Sequence, residues 1–291
     1  MSGSLRLKLE GVGWLAAWRL TRAVPERWAY AGFERLAARS FRKNERRRRA
    51  VIANLEPIVG RDRAEACARE AFRTYGRYWA ETFRMQDLSR EQFDARFSVE
   101  GIEHIARAHD AGTGAVLAAP HLGNWDAGGR WVAERWPLAA VVEVLRPRML
   151  FDRFVAHRES FGMTIIPMER DGDAGGRCLE QLATGTLVAL VADRDLSGRG
   201  VEVKMFGRTT MMPPGPAVLA LRAGAPLIPA TIYQRDDGTW WAWVLEPVKT
   251  DDAGGADGVA VVTQRLAEAF ERLIARAPEQ WHVFSPYWTD R

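Results

Sequence analysis

The stretch GAVLAAPHLGNWDAGG, residues 114–129, joins an apolar run to a short polar segment. Its first six residues are small or apolar, and Pro120 ends the run. A continuous apolar run of this length predicts a strand that is buried on both faces of a parallel sheet. His121 follows the proline directly, so we expect it at the carboxyl end of that strand, where α/β sheets place their ligand sites.

The residues after His121 predict the start of a helix. Asn124 is a suitable N-cap, which places Asp126 at the second helical position. On one continuous helix, residues five apart lie about 140° from each other, so His121 and Asp126 converge only if the histidine is in the loop. A histidine with a carboxylate partner suits general-base catalysis, because the carboxylate fixes its tautomer and stabilises the imidazolium. We therefore take His121 and Asp126 as a candidate catalytic pair; the alternative is a loop histidine and a capping aspartate.

The rest of the chain extends the pattern into an α/β fold. After Phe97, apolar runs alternate with segments whose apolar residues recur every three or four positions. Because these runs are mostly continuous, we expect a central mixed, largely parallel sheet flanked by helices. Strands are predicted at FSVEG, GAVLAAP, LAAVVEVL, MTIIPM, TLVALVAD, APLIPATIYQ and TWWAWVLEPV.

The N-terminal third has a different composition. We expect residues 1–98 to form a helical region that associates with a membrane, and residues 99–291 to form one continuous α/β catalytic domain. Trp14, Trp18 and Trp28 are interleaved with arginines, and residues 41–49, FRKNERRRR, carry six positive charges. Each basic residue near an anionic bilayer contributes on the order of 1 kcal/mol. Packed helices with a solvated face are the plain alternative, and no nucleic-acid-binding motif accompanies the arginines.

Composition excludes several other classes. A hydrophobic fraction of 47% and a charged fraction of 27% over 291 residues are typical of a globular protein. Cys67 and Cys178 are far apart, which argues against a disulfide framework or a zinc site, and we expect no metal or cofactor. The chain has no signal-peptide pattern, no run of 18 apolar residues, and none of the motifs GxSxG, HExxH or GxxxxGK[ST].

Charged residues near the predicted sheet edge are further candidates for the site. Glu143 lies in an apolar strand and is expected to need a cationic partner. The candidates are Arg146, Arg148, Arg158 and Arg194. The segment DRDLSGRGVEVKMFG, residues 193–207, follows another predicted strand as a Gly-rich charged turn. We expect its charged residues Asp193, Arg194, Asp195 and Glu202 to line the same edge of the sheet as His121.

Five blocks together carry a resemblance to a known family. HLGNWD resembles the His-x4-Asp motif of glycerolipid-type acyltransferases, and more specifically the branch that holds the lipid A biosynthesis and the actinobacterial phosphatidylinositol mannoside acyltransferases. The other blocks are RRRRAVIANL, AFRTYGRYWAETFR, VADRDLSGRGVEVKMFGRTTMMPPGPAVLALRAGAPLIPA and PEQWHVF, so the resemblance covers about residues 40–288.

The resemblance implies a membrane-associated O-acyltransferase in which His121 is the general base and Asp126 its partner. The mannoside branch implies transfer of an acyl chain such as palmitoyl from acyl-CoA to a mannose hydroxyl of a phosphatidylinositol mannoside. It also implies a peripheral protein that binds an anionic membrane surface, on the cytoplasmic face of the plasma membrane. Glu143, Arg158 and Glu202 match charged positions around the catalytic pair. The alternatives are a lipid A-type enzyme that uses acyl carrier protein and a non-catalytic membrane-binding protein.

Overall fold

The computed structural model describes residues 3–169 and 172–290. The predicted ranges 1–98 and 99–291 also include residues 1, 2, 170, 171 and 291, which lie outside the described residues. The N-terminal part is helical, as the composition predicts. Its helices are α1 (Gly3–Ala23), α2 (Glu26–Lys43), α3 (Glu45–Val59), α4 (Arg61–Arg84) and the short α5 (Arg90–Asp94).

Strands and helices alternate through most of the remaining chain. The strands are β1 (Phe97–Glu100), β2 (Ala115–Ala119), β3 (Leu138–Glu143), β4 (Met163–Met168), β5 (Leu187–Val191), β6 (Val201–Met205), β7 (Arg208–Met212), β8 (Leu227–Gln234) and β9 (Trp240–Val244). The helices are α6 (Glu103–Asp110), α7 (Trp125–Ala133), α8 (Arg148–Glu159), α9 (Ala174–Ala183), α10 (Gly215–Ala223) and α11 (Gly258–Arg276).

Seven strands form one sheet in the order β1-β9-β8-β2-β5-β3-β4. Only β8 and β9 pair antiparallel, so the predicted mixed, largely parallel sheet is confirmed. The apolar run of β2 occupies the centre, where Leu117 pairs with Ala189 on one side and Ile228 on the other. Its position puts the segment after β2, with His121, in the middle of the carboxyl edge.

The segment predicted as a Gly-rich turn, residues 193–207, also contains strand β6, which forms a hairpin with β7. Strands β6 and β7 pair antiparallel as a separate two-stranded sheet, and Phe206 and Gly207 both have positive φ at the turn. Two central residues with positive φ match the right-handed twist of the flanking strands. The alternating sequence VEVKM explains the strand, because Val203 and Met205 are buried while Glu202 and Lys204 are exposed.

The aromatic residues of α1 and α2 divide between core and surface. Trp18 is 1% exposed and stacks on Phe83 of α4 at 4.6 Å between ring centroids. It is a core residue, as the packed-helix alternative predicts, whereas Trp28 is 56% exposed. No helix among residues 3–169 and 172–290 is long and apolar enough to cross a membrane.

Candidate active site

The loop after β2 is held in place by backbone hydrogen bonds from two other segments. The Gly123 amide donates to the Gln280 carbonyl at 2.9 Å, and the Asn124 amide donates to the Ile232 carbonyl at 2.8 Å. Gly123 has a φ of +65°, and a Cβ at this position would lie 1.8 Å from the Ile232 oxygen. Only glycine fits this close approach, so the loop has one defined path.

The His121 ring pairs with Asp193, which follows β5. Nδ1 of His121 lies 2.5 Å from Oδ1 of Asp193, and the His121 amide donates to Oδ2 at 3.0 Å. Because an ionised carboxylate only accepts, Nδ1 carries the proton and Nε2 is left as the basic atom. The Asp193 side chain is 0% exposed and that of His121 22% exposed, so the pair has a buried end and an accessible one.

The electrostatics of Asp193 favour its charged form. Burial by itself would raise the pKa of this carboxyl. The His121 charge and the hydrogen bonds from His121 and Trp281 outweigh burial and hold the pKa below its usual value. Asp193 therefore stays ionised at neutral pH and can stabilise a proton on His121.

Asp126 makes a different set of contacts from the predicted ones. Its Oδ2 accepts from the Tyr78 hydroxyl at 2.6 Å and its Oδ1 accepts from Nε of Arg158 at 2.7 Å. No hydrogen bond joins Asp126 to the His121 ring; Asp193 takes the place that the sequence assigned to Asp126. The reason is local: Asp126 points from the first turn of α7 towards α4 and α8, which supply the two donors.

The Asp126 contacts and the His121 pair still belong to one site. The Tyr78 ring packs on Trp125 with centroids 4.4 Å apart, and Trp125 lies edge-on to His121 at 5.5 Å. Burial would raise the pKa of Asp126, but the Arg158 charge and the bonds from Arg158 and Tyr78 hold it below its usual value. Asp126 is thus a buried carboxylate paired with a half-buried guanidinium, and the rings of Tyr78 and Trp125 connect it to His121.

The start of α7 is capped as predicted, and its cap has an unpredicted partner. Oδ1 of Asn124 accepts from the Ala127 amide at 3.0 Å, which confirms the N-cap. Nδ2 of Asn124 donates to Oε2 of Glu81 at 2.8 Å. Glu81 is buried and accepts further bonds from Arg77, Gln234 and Trp240. In the sequence, only its position in the block AFRTYGRYWAETFR pointed to Glu81. Its sequence neighbours do not indicate that this glutamate accepts several buried hydrogen bonds.

A second histidine near the site is too weak a base to take a proton at neutral pH. His282 donates its backbone amide to the His121 carbonyl at 2.7 Å, and its Nε2 lies 3.2 Å from Oγ1 of Thr74. Burial, together with the His121 charge, lowers the pKa of His282 to about 3. Its ring is therefore neutral, and its backbone amide supports the His121 loop.

The other predicted charged residues lie apart from these contacts. Glu143 is exposed at the end of β3, and Glu202 is exposed on the β6–β7 hairpin. Arg194 is half-buried beside Asp193 and forms no ion pair with a described side chain. Burial raises the pKa of Tyr75, although the positive charges of Arg47 and Arg194 lower it. Of the four supporting candidates, Arg158 alone makes a direct contact with the predicted pair.

Comparison with known proteins gives one family and close relatives. The sequence profile of the family described as bacterial lipid A biosynthesis acyltransferase matches residues 4–290. A phosphatidylinositol mannoside acyltransferase of Mycolicibacterium smegmatis is 37% identical over 298 aligned positions, which cover 99% of this chain and 95% of that protein. One of Mycobacterium tuberculosis is 35% identical over 282 positions, covering 94% and 86%. Each alignment includes both the helices and the sheet.

Proposed function

The chain belongs to the bacterial lipid A biosynthesis acyltransferase family and is an acyltransferase, and we propose that it moves a fatty acyl chain from acyl-CoA to a mannose hydroxyl of a phosphatidylinositol mannoside. The names of the relatives from two mycobacterial species support the acceptor. The His121–Asp193 pair at the carboxyl edge of the sheet carries the proposed chemistry.

The proposed reaction is a direct transfer. Nε2 of His121 takes the proton of the acceptor hydroxyl, and the oxygen attacks the thioester carbonyl carbon. As the tetrahedral intermediate collapses, the carbon–sulfur bond breaks and the imidazolium returns its proton to the departing thiolate. Asp193 holds Nδ1–H and stabilises the imidazolium between these two steps. The products are an ester on the lipid and a free CoA thiol.

The two cysteines favour this direct route over an acyl-enzyme. Burial raises the pKa of Cys67 to about 12 and that of Cys178 to about 11. Both side chains are therefore thiols at neutral pH, and the thiolate is the nucleophilic form. No serine lies in a GxSxG motif.

Asp126 has a supporting role in this proposal. With Tyr78 and Arg158 it ties the first turn of α7 to α4 and α8, beside the ring of Trp125 that contacts His121. Removing Arg158 would leave the buried Asp126 charge without compensation. Asp126 therefore keeps the wall of the site in place and positions the Arg158 guanidinium next to it.

We also propose peripheral attachment to the cytoplasmic face of the plasma membrane. Large apolar side chains are exposed on α1 and α2, and arginines are exposed on α3, which suits an anionic lipid surface. The apolar ones are Val12, Trp14, Leu20, Trp28 and Leu36, and the arginines are Arg46, Arg47 and Arg49.

The substrate proposal is tested with purified protein, palmitoyl-CoA and phosphatidylinositol mannoside in detergent micelles. Thiol release should depend on the mannoside, and mass spectrometry should find the acylated lipid. A parallel reaction with palmitoyl-acyl carrier protein separates the two donors, and one with lipid A precursor separates the acceptors. Faster acylation of the lipid A precursor, or no acceptor-dependent thiol release, would overturn the assignment.

A further inference from the structure

Trp281 contacts the carboxylate that holds the His121 ring. Its indole Nε1–H donates to Oδ2 of Asp193 at 2.8 Å, on the carboxylate oxygen opposite the one that faces Nδ1 of His121. Trp281 is 1% exposed, and its backbone forms a bridge with Leu122 in the His121 loop. Contacts of both its indole ring and its main chain therefore hold Trp281 in place.

Oδ2 of Asp193 accepts two hydrogen bonds, from the Trp281 indole and the His121 amide. These donors prevent the carboxylate from rotating, so Oδ1 alone faces the ring. A donor to a carboxylate also draws negative charge away from its other partner. The strength of the Trp281 bond thus affects how firmly the pair holds a proton.

Few other charged groups act on the pair. His282 and Tyr287 approach from the C-terminal segment, and burial keeps both neutral, with the Tyr287 pKa raised well above its usual value. Asp126 of α7 and Arg158 of α8 compensate each other. Arg194 follows Asp193 in the chain and is the nearest uncompensated cation in sequence.

We propose that Trp281 is a positioning residue that sets the pH at which His121 gains and loses its proton. Without the indole N–H, Asp193 would present more negative charge to the ring and favour the imidazolium. The neutral, basic form of His121 would then prevail only at higher pH. The catalytic consequence rests on the proposed role of His121 as base, whereas the effect on ring titration does not.

The test compares Trp281→Phe with Trp288→Phe in the full chain. Trp288 provides the control, because it is a half-buried tryptophan of the same C-terminal segment but donates to the Ala53 and Asn54 carbonyls and not to Asp193. NMR follows the imidazole resonances of His121 against pH, and kcat/KM is measured over the same range.

For Trp281→Phe we expect the titration midpoint of the ring and the acid limb of the rate profile to rise together by at least about 0.5 pH unit, a threefold change in proton affinity. Trp288→Phe should leave both unchanged. If activity falls while the titration midpoint of the His121 ring stays the same, Trp281 acts only through packing and the proposal is overturned. If His121→Ala stays active, the proposed base fails, while the ring titration still decides this inference.

A measurement on the unsubstituted protein covers the case in which Trp281→Phe does not fold. The Trp281 indole N–H resonance should lie downfield and should shift with the same midpoint as the His121 ring. The Trp288 indole resonance should not move with it. A Trp281 indole resonance that does not shift as His121 titrates would contradict the proposal.

Discussion

Replacing Tyr78 by phenylalanine tests whether the buried Asp126 carboxylate depends on its hydroxyl donor. The change removes the 2.6 Å bond to Oδ2 and keeps the ring that packs on Trp125, so it opens no large cavity. A hydrogen bond to a charged group contributes about 1.5–3 kcal/mol. Arg158 remains on the other oxygen, so we expect a loss of about 2 kcal/mol in the free energy of unfolding at pH 7.

The same substitution should depend on pH in a defined direction. The folded-state pKa of Asp126 is lowered, so its contribution to stability is present above its unfolded pKa and is lost as the pH falls through the folded value. The difference between wild type and Tyr78→Phe should therefore shrink as the solution is made acidic. The difference is largest at neutral pH because both proteins then hold Asp126 ionised.

Tyr233→Phe is the matched control. Tyr233 is buried, and its hydroxyl donates to the neutral Leu273 carbonyl at 2.8 Å. Urea unfolding at pH 7, and at the lowest pH where the wild type is folded, should show a loss of about 1 kcal/mol for this control at both. A Tyr78→Phe loss below about 0.5 kcal/mol at pH 7, or one that does not shrink in acid, would refute the reasoning.

Three other changes give separate tests. Asp193→Asn should lower kcat by about 10²–10⁴-fold with little change in KM, because the ring loses the partner that fixes its tautomer; a drop below tenfold would contradict this. Gly123→Ala should reduce the yield of folded protein, measured by near-UV circular dichroism, since its Cβ would meet the Ile232 carbonyl. Replacing Arg46, Arg47 and Arg49 by glutamate should weaken flotation with anionic liposomes, and high salt should do the same to the wild type; unchanged flotation would place the anchor elsewhere.

The parts of the fold that the sequence predicts are those with local signals. Apolar runs such as that of β2 locate the strands of the parallel sheet, and the Asn124 cap locates the start of α7. The glycines and charges of residues 193–200 indicate a turn, and they conceal the start of the hairpin β6–β7, although VEVKM alternates as a half-buried strand does.

The partners within the site were harder to predict because they are distant in sequence. Asp193 lies 72 residues from His121, and only the pairing of β2 with β5 brings them to the same sheet edge. The His-x4-Asp spacing within one segment favoured Asp126 as the partner of His121 instead. Glu81 and Trp281 gave no local signal, since a buried glutamate and an indole donor acquire their roles only when α4 and the C-terminal segment pack against the loop.

The central claim is that His121 is the base for acyl transfer, and the acceptor-dependent rate of CoA thiol release by His121→Ala tests it most directly. The variant should first show the wild-type near-UV circular dichroism spectrum, because the side chain is partly exposed and its removal leaves Asp193 with the Trp281 donor. We predict a rate at least about 10²-fold below that of the wild type. A folded His121→Ala variant with a rate within a fewfold of the wild type would contradict the account.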